Sequence, residues 1–217
     1  MNIYFTNEKG VSGLKVIDNI HLVEIEFVNV YLIVRDNRVI LIDSGLHGYV
    51  DKIAGYIESL GLSPDSLKSV IITHYHFDHT GGLRELVDRF NVTVYSHRDE
   101  KELIEEESGV EVDEVLVDGD QIYGLTVIHT PGHTPGHICL LDQDTKALFI
   151  GDLVYEENGV LYEIPRKYSR DPIGNRESIK KLLAYDFKHI LPSHGKPIMD
   201  NGYEKLRELV SKLFGGT

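Results

Sequence analysis

The sequence predicts a mixed α/β protein on three observations: a β-rich opening, a middle in which strand and helix patterns alternate, and a second β-rich block with terminal helices. In the opening, residues 21–27, 31–36 and 38–43 are dominated by Val, Ile and Leu and read as successive strands, the last two joined by an Asp36-Asn37 turn. Residues 49–60 carry helical apolar spacing and stop at Gly61 and the Ser63-Pro64 loop. Residues 68–73 read as a short buried strand; a loop follows, and Gly81-Gly82 opens an amphipathic helix over 83–90. A strand at 93–96 and an acidic helix near 99–107 complete the middle. The second β block covers 114–155. Beyond it come an irregular tyrosine-bearing segment to Asn175, a helix over 176–185, a strand ending at His194 and a helix over 203–214. No linker, low-complexity stretch or repeat interrupts the 217 residues, so a single domain over 1–217 is expected.

The chemistry is concentrated in residues 73–82, Thr-His-Tyr-His-Phe-Asp-His-Thr-Gly-Gly, where three imidazoles and a carboxylate fall within six positions. Neutral imidazole and carboxylate are the ligands that zinc and other first-row divalent ions take, so His74 and His76 suit one ion while Asp78 and His79 turn towards a second. Three later strand ends supply more donors. The Pro131-Gly132-His133-Thr134-Pro135-Gly136-His137 turn aims His133 outward. A buried strand ends in Gly151-Asp152, whose carboxylate suits a position between two cations, and Ser193-His194-Gly195 offers the last imidazole.

Composition bounds the partners. A formal net charge of −13 argues against a nucleic-acid surface, which needs a basic patch, whereas two divalent cations would make the site locally positive and suited to an anionic small molecule. Cys139 is the single cysteine and lies in the apolar run Ile138-Cys139-Leu140-Leu141, which reads as a small buried hydrophobe and excludes disulfides within the chain. No leader pattern and no stretch of about 18 apolar residues is seen, so a cytoplasmic location and no membrane association are expected. A homodimer is compatible with the sequence.

These residues resemble the metallo-β-lactamase superfamily of hydrolases, through His74-x-His76-x-Asp78-His79, His133 in Thr-Pro-Gly-His, Asp152 in Gly-Asp, and His194 in Ser-His-Gly, with Leu41-Ile42-Asp43-Ser44-Gly45 as an early strand-end motif. The resemblance implies an αββα sandwich and two divalent ions, zinc first, with iron or manganese as alternatives. It assigns His74, His76 and His133 to one ion, Asp78, His79 and His194 to the other, Asp152 to both, and Asp43 to orienting a ligand. It implies hydrolysis by a metal-bound hydroxide, with Asp78 also catalytic in handling the proton. The Thr130 to His137 motif is most similar to the glyoxalase II-like branch, which points to a small thioester, ester or lactone. Those enzymes carry a helical glutathione-binding extension, and here about 20 residues with one helix follow His194. The alternative is a mononuclear iron oxygenase of the persulfide dioxygenase type.

The remaining histidines are expected to be structural: His137 beside the ligands, His97 at a strand-to-helix junction, and His21, His47, His129 and His189 without a partner pattern. Arg166, Tyr168 and Arg170 lie in the segment after Asp152, where a role in clamping a substrate carboxylate competes with a plain solvated loop.

Overall fold

The computed structural model describes residues 4–6 and 12–215. They fall into two compact units, one made of the residues up to Ser96 with Lys101–Val115, the other of His97–Glu100 with those from Leu116 onward.

The first unit is built on a sheet ordered β1 (Tyr4–Thr6), β2 (Ser12–Ile17), β3 (Ile20–Ile25), β4 (Val28–Arg35), β5 (Arg38–Ile42), β6 (Leu67–Ile72), β7 (Thr93–His97) and β8 (Glu114–Leu116). The β4–β5 hairpin closes through Asp36 and Asn37, both at positive φ (49° and 59°), the backbone that a right-twisted two-residue hairpin turn demands. From β5 onward the pairing turns parallel, β5 to β6 and β6 to β7, because helices intervene. These are α1 (Val50–Ser59), the single turn α2 (Phe77–Thr80) and α3 (Leu83–Arg89); α4 (Lys101–Ser108) follows β7. Val50, Ile53, Tyr56 and Ile57 of α1 and Leu83 and Leu86 of α3 share a core with Val28, Val30 and Leu32 of β4 and Val70 and Ile72 of β6. At about 25 cal/mol per Å² of buried apolar surface, such helix-on-sheet packing is the dominant stabilising contribution.

The second unit has a sheet ordered β15, β12, β11, β10, β9, formed by β9 (Gln121–Ile122), β10 (Leu125–His129), β11 (Ile138–Asp142), β12 (Ala147–Gly151) and β15 (His189–Pro192). A separate hairpin, β13 (Val154–Glu157) with β14 (Val160–Glu163), and the helices α5 (Pro172–Lys181) and α6 (Gly202–Phe214) complete it. Ile179, Leu206 and Leu209 of the helices pack with Ile128, Cys139, Leu148 and Ile190 of the strands. The mixed α/β class is as expected.

Three local differences have identifiable causes. The segment read as irregular contains the β13–β14 hairpin, turned by Asn158-Gly159 at φ 52° and 78°, an Asn-Gly signal that the tyrosines obscured. The helix expected from 176 begins at Pro172, because Asp171 caps it by accepting from the Ile173 and Gly174 amides and Pro172 fits the first helical position; it ends at Lys181, passing into a 3-10 turn over Leu182–Ala184. The ligand loop after β6 contains the helical turn α2. Among the described residues no helix is long and apolar enough to cross a membrane.

Candidate metal centre

Each unit gathers its own set of donors at the carboxyl ends of its strands. In the first, β5 and β6 finish side by side. Asp43, at φ 62°, accepts from the Thr73 amide at 2.7 Å and from Thr73 Oγ1 at 2.9 Å, and its Oδ2 accepts from His79 Nδ1 at 2.8 Å. A carboxylate only accepts, so His79 carries its proton on Nδ1 and presents the Nε2 lone pair towards Asp78, whose Oδ2 is 3.8 Å away. Thr73 Oγ1, having donated to Asp43, accepts from His74 Nδ1 at 3.1 Å. That fixes His74 in the same tautomer, with Nε2 3.1 Å from His76 Nδ1. His74 and His79 are fully buried and Asp78 is buried, in a loop tied down by Ser44, whose amide and hydroxyl both donate to the His79 carbonyl at 2.8 Å.

The Gly81-Gly82 pair is explained by this docking. A Cβ on Gly82 would lie 2.4 Å from the Ser44 carbonyl oxygen, and one on Gly81 2.7 Å from the His47 amide nitrogen, so only glycine lets α2 and α3 seat against the β5 end.

In the second unit Asp152 stands between two imidazoles. Its Oδ2 is 3.6 Å from His133 Nε2 and its Oδ1 3.3 Å from His194 Nε2. The Asp152 amide donates to His137 Nε2 at 3.1 Å, so His137 is protonated on Nδ1, which meets Thr130 Oγ1 at 2.8 Å. His137 thus holds the backbone of Asp152, which is a structural role. Gly151, at φ 56°, has no room for a Cβ, which would sit 2.3 Å from His137 Nε2. The loop bearing His133 is held by Glu100, a fully buried carboxylate that accepts from the Gly136 amide at 2.6 Å, and by Ser178, whose hydroxyl donates to the Pro131 carbonyl at 2.6 Å. The His194 carbonyl accepts from the Glu156 amide at 2.9 Å.

These spacings fit a metal. Tetrahedral donors with bonds of about 2.1 Å stand about 3.4 Å apart. The neighbouring donors in the two units are separated by 3.1, 3.8, 3.6 and 3.3 Å. Both tautomer-fixing contacts are of the kind that prepares histidine for coordination.

Sequence reasoning passed over Thr73, Thr130 and Glu100. The two threonines immediately precede histidine-bearing motifs, a usable signal, but Glu100 lies 36 residues from the amide it holds and left none. Three of the histidines read without partners have them. His21 Nδ1 is 3.0 Å from the Tyr56 hydroxyl, His189 Nδ1 accepts from the Asp200 amide at 2.9 Å, and His129 donates to the Pro135 carbonyl at 2.9 Å. The His129 ring also stacks on that of His97 with centroids 3.9 Å apart. His97 does fix its junction, accepting from the Asp99 amide at 3.2 Å. Cys139 is buried as expected; burial pushes its thiol up to about 12, which removes it as a nucleophile.

Comparison with known proteins gives a consistent picture. The family model of the metallo-beta-lactamase superfamily matches residues 23–194. A beta-lactamase-like protein 2 homolog from Caenorhabditis elegans is 31% identical over 188 residues, covering 84% of this chain and 60% of that protein, so the chain spans about three-fifths of that relative. An acyl-coenzyme A thioesterase, MBLAC2 of Bos taurus, is 30% identical over 221 residues, covering 84% of this chain and 77% of that one. In fold, a metallo beta lactamase from Erythrobacter litoralis matches with a TM-score of 0.77 at 18% identity, covering 97% of this chain and 100% of that one.

Proposed function

This chain belongs to the metallo-beta-lactamase superfamily, and on that footing we propose that it is a dinuclear metallo-hydrolase, zinc-dependent, that cleaves a small thioester in the cytoplasm. The observation that carries the reading is the pair of preset donor groups, with tautomers fixed by Asp43 and Thr73 on one side and Asp152 aimed at two imidazoles on the other. His74, His76 and His133 would hold one ion, Asp78, His79 and His194 the other, with Asp152 shared. When bound, the ions supply Lewis acidity, lowering the pKa of water from about 15.7 to about 7 and drawing charge from the acyl oxygen.

The chain's own residues do the rest. Asp78 accepts a hydrogen bond from the attacking water and takes its proton. The buried Asp43 carboxylate accepts the Nδ1 proton of His79 and so leaves its Nε2 lone pair to a metal. In the balanced reaction, water adds hydroxyl to the acyl carbon and a proton to the departing sulfur as the carbon–sulfur bond breaks. The thioester choice is supported by the likeness to MBLAC2, named an acyl-coenzyme A thioesterase.

The test is elemental analysis of protein purified without added metal, followed by turnover of thioesters, lactones, β-lactams and phosphodiesters. Two zinc equivalents and preferred thioester turnover are expected. One iron equivalent with oxygen consumption would replace the reading by an oxygenase, and turnover of phosphodiesters alone would overturn the thioester.

A further inference from the structure

We propose that Asn175 is a positioning residue of the candidate metal centre: from the first turn of α5 it holds the main chain that follows Asp152, and so fixes that carboxylate between His133 and His194. The proposal rests on the metal-centre reading for what Asp152 is positioned to bind.

The chemistry of the side chain is the first observation. Asparagine is among the weaker helix formers, and Asn175 is fully buried inside a helix. Ile179, one turn further along the same face, shows what plain packing there uses. Of the two polar atoms of the Asn175 side chain only one is engaged. Nδ2 donates to the Leu153 carbonyl at 3.3 Å, while the buried Oδ1 meets no donor among the described residues. An unpaired buried acceptor is unfavourable. What stands against that cost is a single hydrogen bond, and it goes to the residue next to Asp152.

The second observation is what the bond acts on. β12 ends at Gly151, whose φ of 56° turns the chain away, and its pairing with β15 is irregular between Phe149 and Gly151. Asp152 lies beyond that ladder and takes its direction from other groups. Its amide donates to His137 Nε2 at 3.1 Å, and the carbonyl of the next residue, Leu153, accepts from Asn175 and from the Ile164 amide at 3.2 Å. The main chain is thus held on either side of the carboxylate. Such holding matters because a donor set works only within about 0.5 Å and about 10 to 20° of its geometry. Asp152 has to meet two imidazoles at once, at 3.3 and 3.6 Å.

The third observation is that the same helical turn is docked on the loop bearing His133. A Cβ on Gly132 would lie 2.0 Å from the Asn175 amide nitrogen, and the Asp171 amide donates to the Gly132 carbonyl at 2.8 Å. Ser178, on the next turn, donates to the Pro131 carbonyl at 2.6 Å. One face of α5 therefore grips the His133 backbone, and Asn175 reaches from it to the Asp152 backbone. The helix sets the spacing of the two donors.

The experiment compares Asn175→Leu with the parent protein. Leucine has nearly the same volume, removes the unpaired oxygen together with the donor, and leaves the Leu153 carbonyl its bond from the Ile164 amide. The variant is therefore expected to melt within a few degrees of the parent, where a merely structural role would show. A positioning role shows elsewhere. Zinc affinity in chelator competition is expected to fall about tenfold, and the absorption bands of the cobalt(II)-substituted protein to shift. In the metal-free protein the Asp152 amide should exchange with deuterium several-fold faster. Ile179→Val, which thins the packing of the same helix and leaves the bond to Leu153 in place, is the control and keeps parental zinc affinity and cobalt bands. Parental zinc affinity and cobalt bands in Asn175→Leu, or an equal change in Ile179→Val, overturn the proposal. Should the leucine variant not fold, Asn175→Ala, which needs no added room, takes its place in the same comparison. Zinc binding by neither parent nor variant would refute the metal-centre reading. Asp152 exchange in the metal-free protein then decides the proposal alone: faster exchange in the variant upholds it and equal exchange overturns it.

Discussion

The Asp43 carboxylate accepts the Nδ1 proton of His79 across 2.8 Å in a fully buried pair, although 36 residues separate them in the chain. The same carboxylate takes the Thr73 amide and hydroxyl, so one side chain joins the ends of β5 and β6 to the helical turn that bears His79.

Asp43→Ala is therefore expected to lose about 2 to 4 kcal/mol in urea denaturation, since it strands three donors in the interior. Asp43→Asn keeps an acceptor for Thr73 but faces His79 with an amide, which demands the opposite tautomer. It should remain more stable than the alanine variant yet bind zinc roughly 10- to 100-fold more weakly in chelator competition. Zinc affinity equal to that of the parent would show that Asp43 only stabilises the fold.

His137 orients Asp152 through the 3.1 Å bond from the Asp152 amide. His137→Leu removes the acceptor and should lower metal affinity by about tenfold. His137→Gln, whose side-chain oxygen can accept from the same amide, should recover most of it. Equal losses in the two variants would assign His137 to packing alone.

Two glycines with left-handed backbone separate strain from collision. At Gly132, φ 136°, a Cβ would lie 2.0 Å from the Asn175 amide nitrogen, whereas at Gly159, φ 78°, it meets nothing within 4 Å. Gly159→Ala should cost about 1 kcal/mol and Gly132→Ala about 2 to 4 kcal/mol, with faster amide exchange at Asp171 only in the latter. Similar melting temperatures for the two would contradict the tight seating of α5 on the His133 loop.

Burial first, and then the nearby Lys15 charge, push His21 from 6.5 down to about 4. Between these values the unfolded chain takes up a proton that the folded chain refuses, so stability falls as pH drops from about 6.5 to about 4 and this contribution then levels off. His21→Gln, which can still hydrogen-bond Tyr56, should show a shallower fall over that window when denaturation is followed at stepped pH. An unchanged slope would mean that His21 does not contribute to it.

The strands β4, β5 and β6 and the helices α1 and α3 were legible because their apolar spacing is local and strong. The elements that escaped were those where one cue overrode another. The Asn158-Gly159 hairpin was hidden by a tyrosine-rich context, and the start of α5 was set by the Asp171 cap rather than by apolar period. Much the same division runs through the candidate site: the donor residues declare themselves by type and clustering, while the groups that orient them do not.

The sequence by itself determined the class of fold, the candidate donors and their placement at strand ends, since hydrophobic period, turn residues and ligand chemistry are all written in short windows. Only the tertiary structure decided which nitrogen of His74, His79 and His137 is committed inward, and which of two threonines and one glutamate holds which loop. The physical reason is that a hydrogen bond depends on where two atoms meet in space, and residues as far apart as Asp43 and His79 or Glu100 and Gly136 meet only once the sheets and loops have formed.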